Sequence, residues 1–448
     1  MNKRSAFALA TGTALVLGLT TGCGPDSSDG SKGGATASKS PSAGASASPM
    51  APVYEGKPDP GLSKEPVWSR AKLADTRTTC PIDATETQRG GADVGLCAVG
   101  DAVVVTEELR QETGDGAQET KSVTRLLDAG TGKERAAFDA LMSGEPAAVG
   151  RWKDGSPALL IRSVRAQDPT QVTYTMYAPD GRELGRSVFR GKEYLNLPVV
   201  DGHVKLPSSS NFEVKYAPIG GGAELTVNDV NPQNNIGPGF GYTPATKDDY
   251  DTKGGYLVVT DRRTGKQAWS TRDTEPPKAI AEINPKGNHP TAILKPLGGD
   301  RGIVLWTAKY GSDKAVIAVV DLATGRQVSQ GPSVLLNSPG SEKFTVLSPD
   351  GKTAVGEFGK ETVAWDIETG RELWRRGEEK PLRPAAISPS GVLYASVDGQ
   401  QTLDARTGKP LSTYDQIPQF TTNGFGILTD AKALHVFRSN TAPAEGTS

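Results

Sequence analysis

Few residues in this sequence are spaced like a reactive centre. Three cysteines (Cys23, Cys80, Cys97) and three histidines (His203, His289, His435) are spread over 448 residues. Zinc sites draw on closely spaced Cys and His ligands, and no histidine here has a second His or a Cys within that spacing. The histidines read as surface or strand-end side chains. A Gly-x-Ser-x-Gly nucleophile elbow is absent from the sequence. Asp248-Asp249-Tyr250-Asp251 offers oxygen ligands for calcium, but it lacks the alternation and the central Gly of an EF-hand loop, so a solvated turn accounts for it. Thr-Gly-Lys/Arg triplets occur five times. They lack the Gly-x-x-x-x-Gly-Lys-Ser/Thr spacing that cradles phosphate, and one phosphate site would not need five copies. Lys+Arg is 50 and Asp+Glu 52, for a net charge of −2. No basic excess is present to drive nucleic-acid binding.

The triplets are instead the ends of turns, and the turns define the elements. Asp128-Ala-Gly-Thr-Gly-Lys133, Asp261-Arg-Arg-Thr-Gly-Lys266, Asp321-Leu-Ala-Thr-Gly-Arg326, Asp366-Ile-Glu-Thr-Gly-Arg371 and Asp404-Ala-Arg-Thr-Gly-Lys409 share one pattern. Degenerate copies begin at Tyr177 and Tyr216. In each, the Asp carboxylate can accept from the N–H groups two and three residues on, and the Gly supplies a positive φ. Three β-rich runs precede the turn and one follows. In the best copy these are Phe344–Leu347, Thr353–Phe358, Thr362–Asp366 and Glu372–Trp374. The copies start 38 to 60 residues apart, a spacing typical of propeller blades of four short antiparallel strands. The 53 Gly and 32 Pro exceed the roughly 12% average for the two together and suit a chain of many turns. At the C-terminal end come three strands without a fourth (Phe420–Thr422, Phe425–Thr429, Ala433–Phe437). Glu65-Pro-Val-Trp-Ser-Arg70 resembles an outer strand lacking its blade. The fold expected is all-β: a β-propeller of eight four-stranded blades, the last closed by the N-terminal strand. Seven blades is the alternative, if the copies at 177 and 216 share one.

Recurring Asp-x-x-Thr-Gly-Lys/Arg followed by a Trp resembles the PQQ-like (quinoprotein-type) β-propeller repeat family over residues 62–438. That family includes dehydrogenases, sensors and assembly scaffolds, so the resemblance implies an architecture and leaves function open. The quinoprotein dehydrogenases would imply vicinal cysteines over the cofactor and a calcium held by Glu, Asn and Asp. This chain has no vicinal cysteines and lacks their length. No cofactor and no metal are expected.

The N-terminus carries an address. Lys3 and Arg4 precede a mostly apolar run from Ala6 to Leu19, too short to span a bilayer and of signal-peptide length. Leu19-Thr20-Thr21-Gly22-Cys23 resembles the bacterial lipoprotein signal, with the leucine one position early and Thr20 in its usual place. The resemblance implies that residues 1–22 are removed and that Cys23 becomes the diacylglycerol-bearing N-terminus, the fatty-acyl (palmitate-type) anchor of a membrane lipoprotein. Ordinary secretion with a free Cys23 is the alternative. Residues 23–61, rich in Ser, Gly, Ala and Pro, read as a disordered tether with a reach of roughly 30–35 Å. Residues 439–448 read as a disordered tail. With Cys23 lipidated, Cys80 and Cys97 remain, and an exported protein pairs such cysteines as a disulfide. Two separate buried thiols are the alternative.

One segment breaks the rhythm. Asn228 to Gly254 is rich in Gly, Pro and Asn where the first two strands of the fourth blade belong. Its Gly237-x-Gly239-x-Gly241 opens no helix, so it is not a dinucleotide loop. It is the expected binding loop, with Asn234, Asn235, Phe240 and Tyr242 as candidate contacts; a disordered insertion is the alternative. The function expected is a non-catalytic binding or scaffold module on the extracytoplasmic face of the cell membrane. Its partner is an unknown protein, peptide or glycan, and it meets the membrane through the lipid only. An exported quinoprotein-like or glycan-acting enzyme is the second reading.

Overall fold

The computed structural model describes residues 52–72, 76–84, 95–112, 118–140, 147–165, 168–207, 214–227, 235–237, 239–244, 256–261, 264, 266–283, 291–298, 300–308, 312–336, 345–377, 381–396 and 399–440. Cys23, the signal segment, most of the tether, Asn234, His289 and the 248–251 acidic cluster lie outside them. The described strands form eight sheets. Sheet one covers 98–140, two 147–190, three 199–227, four 235–270, five 291–335, six 345–376, seven 383–413 and eight 419–438. The only α-helix among the described residues is the short Lys278–Ile283. The degenerate copies at Tyr177 and Tyr216 sit in separate sheets, two and three, so they do not share one.

The expected strands of sheet six are found almost residue for residue, as Thr353–Phe358 and Glu361–Asp366, and sheet seven repeats them as Val392–Ser396 and Gln400–Asp404. Sheet eight takes its outer strand from the N-terminus: Trp68–Ala71 pairs antiparallel with Ala433–Arg438, Trp68 opposite Val436 and Ala71 opposite Ala433. The expectation of four strands throughout is corrected in sheets one and two. Thr76–Thr79 pairs with Ala102–Glu112 of sheet one, and Ile82–Asp83 pairs in parallel with Ala147–Arg151 of sheet two. One short N-terminal run thus joins three successive sheets. Cys80, between these two strands, is disulfide-bonded to Cys97.

The repeated turn is built as its residues dictate. Asp366 Oδ1 accepts from the backbone N–H of Glu368 and Thr369 and from the Thr369 hydroxyl. Asp128, Asp321 and Asp404 hold their threonines in the same way. The glycines stand at φ of 69° to 72° in Gly132, Gly325, Gly370 and Gly408. The carboxyls of Asp128 and Asp321 lie below the usual carboxylate range, through Arg135 and the Thr131 hydroxyl for the first and the Thr324 hydroxyl for the second.

At four seams the turns also fasten a sheet to the one before it. Trp68, Trp269 and Trp374, on outer strands, donate their indole N–H to the carbonyls of Ala129, Leu322 and Ala405 at 2.7–2.8 Å. Each acceptor directly follows the turn Asp of the next sheet. A Cβ on Gly132, Gly325 or Gly408 would fall 2.9, 2.5 or 2.9 Å from the respective indole, so the glycine also makes room for the ring. Ser329 holds the equivalent register in sheet five and reaches the Ile367 carbonyl at 2.5 Å. The apolar cores lie between sheets. One joins four to five through Phe240, Trp269, Leu294 and Trp306. Another joins five to six. Phe425, Ile427 and Val436 of sheet eight pack on Val103, Val105 and Leu127 of sheet one. The last sheet therefore faces the first.

Candidate functional site

Within the expected binding loop the described residues form strands. Asn235–Gly237 and Phe240–Pro244 are the inner strands of sheet four, with Phe240 opposite Asp261 and Tyr242 opposite Val259. Phe240 is 7% exposed and belongs to the core shared with sheet five, so it is not a free aromatic contact. Asn235 pairs with Gly241 along the backbone. The glycines that suggested a loop serve a tight reversal, with Gly239 at φ 72° and its N–H on the Asp201 carboxylate at 2.6 Å. Of the four candidates, three are brought together, as neighbouring strand residues, and Asn234 lies outside the described residues.

The side chains with the most chemistry gather instead where sheet eight closes. Trp-Ser-Arg-Ala over 68–71 alternates faces, as a strand must. Trp68 and Arg70 turn toward sheet one, and Ser69 turns the other way. Arg70 Nε and Nη2 donate to Glu107 Oε1 at 3.1 and 2.7 Å. Arg125 Nε meets Glu107 Oε2 at 2.8 Å, and Arg125 also pairs with Glu134. Glu107 is 6% exposed. Burial pushes its carboxyl up, but the Arg125 and Arg70 guanidiniums outweigh that and hold it below the usual glutamate range. A buried carboxylate between two arginines is fully paired and resists protonation, which makes it a fastener rather than an acid.

On the other face, His435 is fully buried, against the expectation of a surface or strand-end residue. His203, at a strand start and bonded through Nδ1 to the Asp201 carbonyl, does meet that expectation. The Ser69 hydroxyl lies 2.8 Å from His435 Nδ1, and Asp430 Oδ2 lies 3.0 Å from Nε2. Asp430 Oδ1 also takes the backbone N–H groups of Lys432 and Ala433, both at 2.7 Å. Burial raises the Asp430 carboxyl, while the Lys432 N–H and the His435 ring draw it below its ordinary value. Serine, histidine and aspartate in one chain of hydrogen bonds are the parts of a hydrolytic triad. Here the imidazole is sealed: Tyr54 packs edge-on against it with ring centroids 5.1 Å apart. The array ties the N-terminal strand to the turn at Asp430. No local motif announces it, because Ser69 and His435 are 366 residues apart. The local signal was the Asp430-x-Lys432-Ala433 turn alone.

The segment expected as the end of the tether also belongs here. Residues 52–61 lie against sheets seven and eight. Tyr54 meets Phe437 at 5.1 Å between centroids, and Lys57 and Glu55 pair with Asp415 and Lys432. Asp59 Oδ1 accepts from the Tyr394 hydroxyl and the Gly61 N–H, each at 2.7 Å. Burial raises the Asp59 carboxyl, and those two donors oppose it. Residues 52–61, expected as the end of the tether, are thus packed against the sheets. Ser439 and Asn440, expected as tail, bond back to residues 60–62. Among the described residues no three His, Cys, Asp or Glu side chains are grouped to hold a metal ion, and no helix is long and apolar enough to cross a membrane.

The last sheets decide the comparison with known families. Residues 313–439 match the profile of a PQQ-like repeat family described as outer membrane protein assembly factor BamB. This stretch is a PQQ-like repeat segment. It contains the turns at Asp321, Asp366 and Asp404 and the indole fastening of Trp374. No curated protein matches the sequence. Among solved structures, BamB from Moraxella catarrhalis aligns at 14% identity and a TM-score of 0.37, over 82% of this chain and 100% of that one. An uncharacterized protein from Listeria monocytogenes aligns at 12% identity and 0.36, over 75% and 96%. A eukaryotic initiation factor aligns at 13% and 0.35, over 75% and 90%.

Proposed function

We propose that this chain is an extracytoplasmic lipoprotein anchored through Cys23, whose eight sheets are the blades of one closed propeller. The propeller acts as a non-catalytic binding or scaffold module for a protein, peptide or glycan. The packing of sheet eight on sheet one carries the reading, because it supports a ring whose faces are all covered and whose loops stand on a rigid frame. The matched family description names an assembly factor, and a scaffold role in assembly is the nearest counterpart for this chain. The groups with the most chemistry, Glu107 and His435, are buried and fully bonded, and this favours support over catalysis. Two measurements test the reading. Cys23→Ser should move the protein from the membrane fraction to the medium or accumulate its precursor; unchanged membrane association overturns the anchor. Affinity capture with the full chain from cell envelope should retrieve a partner in stoichiometric amount; capture of nothing above a control propeller overturns the scaffold.

A further inference from the structure

Seven of the sheets offer a turn after their third strand, and at several seams the preceding sheet is fastened to it. At the seam between sheets seven and eight that device is missing. Sheet eight has no such turn, because its outer strand arrives from the N-terminus. Ser412 stands opposite Thr402, in the register that Trp374 holds opposite Ala364 and Ser329 opposite Val319. Its hydroxyl reaches only back to the carbonyl of its neighbour Thr413.

Residues 54–62 fill the gap. Asp59 holds Tyr394 of sheet seven. The Gly61 carbonyl accepts from the Ser390 hydroxyl on that side and from the Ser439 hydroxyl and Asn440 N–H on the other. Leu62 packs with Leu428, Phe437, Phe420 and Tyr54. The outer part of this strap is weakly held. Its two ion pairs join side chains at least half exposed, which contribute little. Pro52, Pro58 and Pro60 can donate no backbone hydrogen bond. The strand that follows is held much harder, by the Trp68 indole on Ala129, the buried Arg70–Glu107 pair and the Ser69–His435 bond.

We propose that residues 54–62 are a release strap: a pull on the N-terminal side of the chain lifts them first and opens the seam between sheets seven and eight, while Trp68–Ala71 stays in place. The geometry suits stepwise peeling. Leu62 pairs antiparallel with Ser439, so both chain ends leave the pair on one side and its bonds are loaded one after another. Lifting the strap uncovers a cleft lined by Tyr394, Phe420, Leu428 and Phe437, with the remaining strands of both sheets intact. The proposal rests on the anchored reading only for the source of the pull; the fractionation of Cys23→Ser tests that source separately.

The test is a single-molecule extension of the full chain, with one handle on the Cys23 thiol and the other at the C-terminus, the Cys80–Cys97 disulfide left intact. The expected record has a first, reversible step at low force that adds about 30 Å, the contour of nine residues at about 3.5 Å each. A second step at clearly higher force follows. Tyr54→Ala combined with Asp59→Asn should lower the first force only. In the unloaded full chain the same variant should also speed amide exchange at Ser63 and Asn440 at least tenfold, with Arg70 and Ala71 unchanged. If that variant folds poorly, Tyr394→Phe removes one hydroxyl from the same contact and should act in the same direction. Rupture of strap and strand in one step overturns the proposal. So does an equal acceleration of exchange at Ser63 and Arg70.

Discussion

Gly325→Ala is expected to be far more damaging than Gly351→Ala, although both glycines sit at φ 71°. The shared cost is the strain of an L-residue in the left-handed region, about 1–2 kcal/mol. At Gly351 a Cβ meets nothing within 4 Å, whereas at Gly325 it falls 2.5 Å from the Trp269 ring. That ring is 7% exposed and donates to the carbonyl of the fully buried Leu322 at 2.7 Å. Forcing it away costs about 1–3 kcal/mol of overpacking. Losing the indole hydrogen bond adds roughly 1 kcal/mol. The difference between the two variants should therefore be about 2–4 kcal/mol, read from guanidinium unfolding followed by far-UV circular dichroism. A Trp269→Ala background supplies the control. It is itself destabilised by about 3–5 kcal/mol, but the space it opens should reduce the Gly325→Ala increment to the backbone term alone. Equal costs at Gly325 and Gly351, or an undiminished increment in the Trp269→Ala background, would refute the fastening role of the indole.

Phe240→Ala should destabilise the fold by about 3–5 kcal/mol, measured by the same unfolding curves, because Phe240 fills the core between sheets four and five; unchanged stability would return it to the surface. Glu107→Gln should lose about 3–5 kcal/mol at pH 7, since it leaves two arginines facing a neutral group. The folded carboxyl of Glu107 lies below its ordinary value of 4.5, so its contribution is complete above that value and is lost as pH falls through the depressed one. The gap between wild type and variant in urea midpoint should thus close in acid, and a gap independent of pH between 7 and 3 would count against the pairing.

What the sequence disclosed is what neighbouring residues settle among themselves. The turn at Asp366 satisfies its own donors within three residues and needs a glycine at one place, so Asp, Thr and Gly announce it without help from the rest of the fold. The closing strand was legible for a similar reason, because Trp68 stands in the same local pattern as Trp269. The inner strands of sheet four are short and poor in branched residues, so the sequence does not announce them. Asn235–Gly237 and Phe240–Pro244 form because Leu257–Asp261 offers an edge to pair with and the core shared with sheet five takes up Phe240, not because of their own propensity. The docking of residues 52–61 was equally hidden: composition marks that stretch as tether, and one tyrosine, one aspartate and the partners waiting at Phe437 and Tyr394 reverse the outcome. The burial of His435 follows from that docking and could not be read without it.

The N-terminal run that serves three sheets also sets an order of events. Thr76–Thr79 and Ile82–Asp83 find their partners within sheets one and two, which are made soon after them. Trp68–Ala71 must wait for Ala433–Arg438, which are synthesised long after them. Contacts so distant in sequence form slowly, and domains emerge N-terminal end first. Through most of its synthesis the chain therefore carries a finished strand with no neighbour, an edge open to pairing with another chain. A chain that stops short of residue 433 keeps that edge for good. The edge is covered only once Ala433–Arg438 has been made and paired.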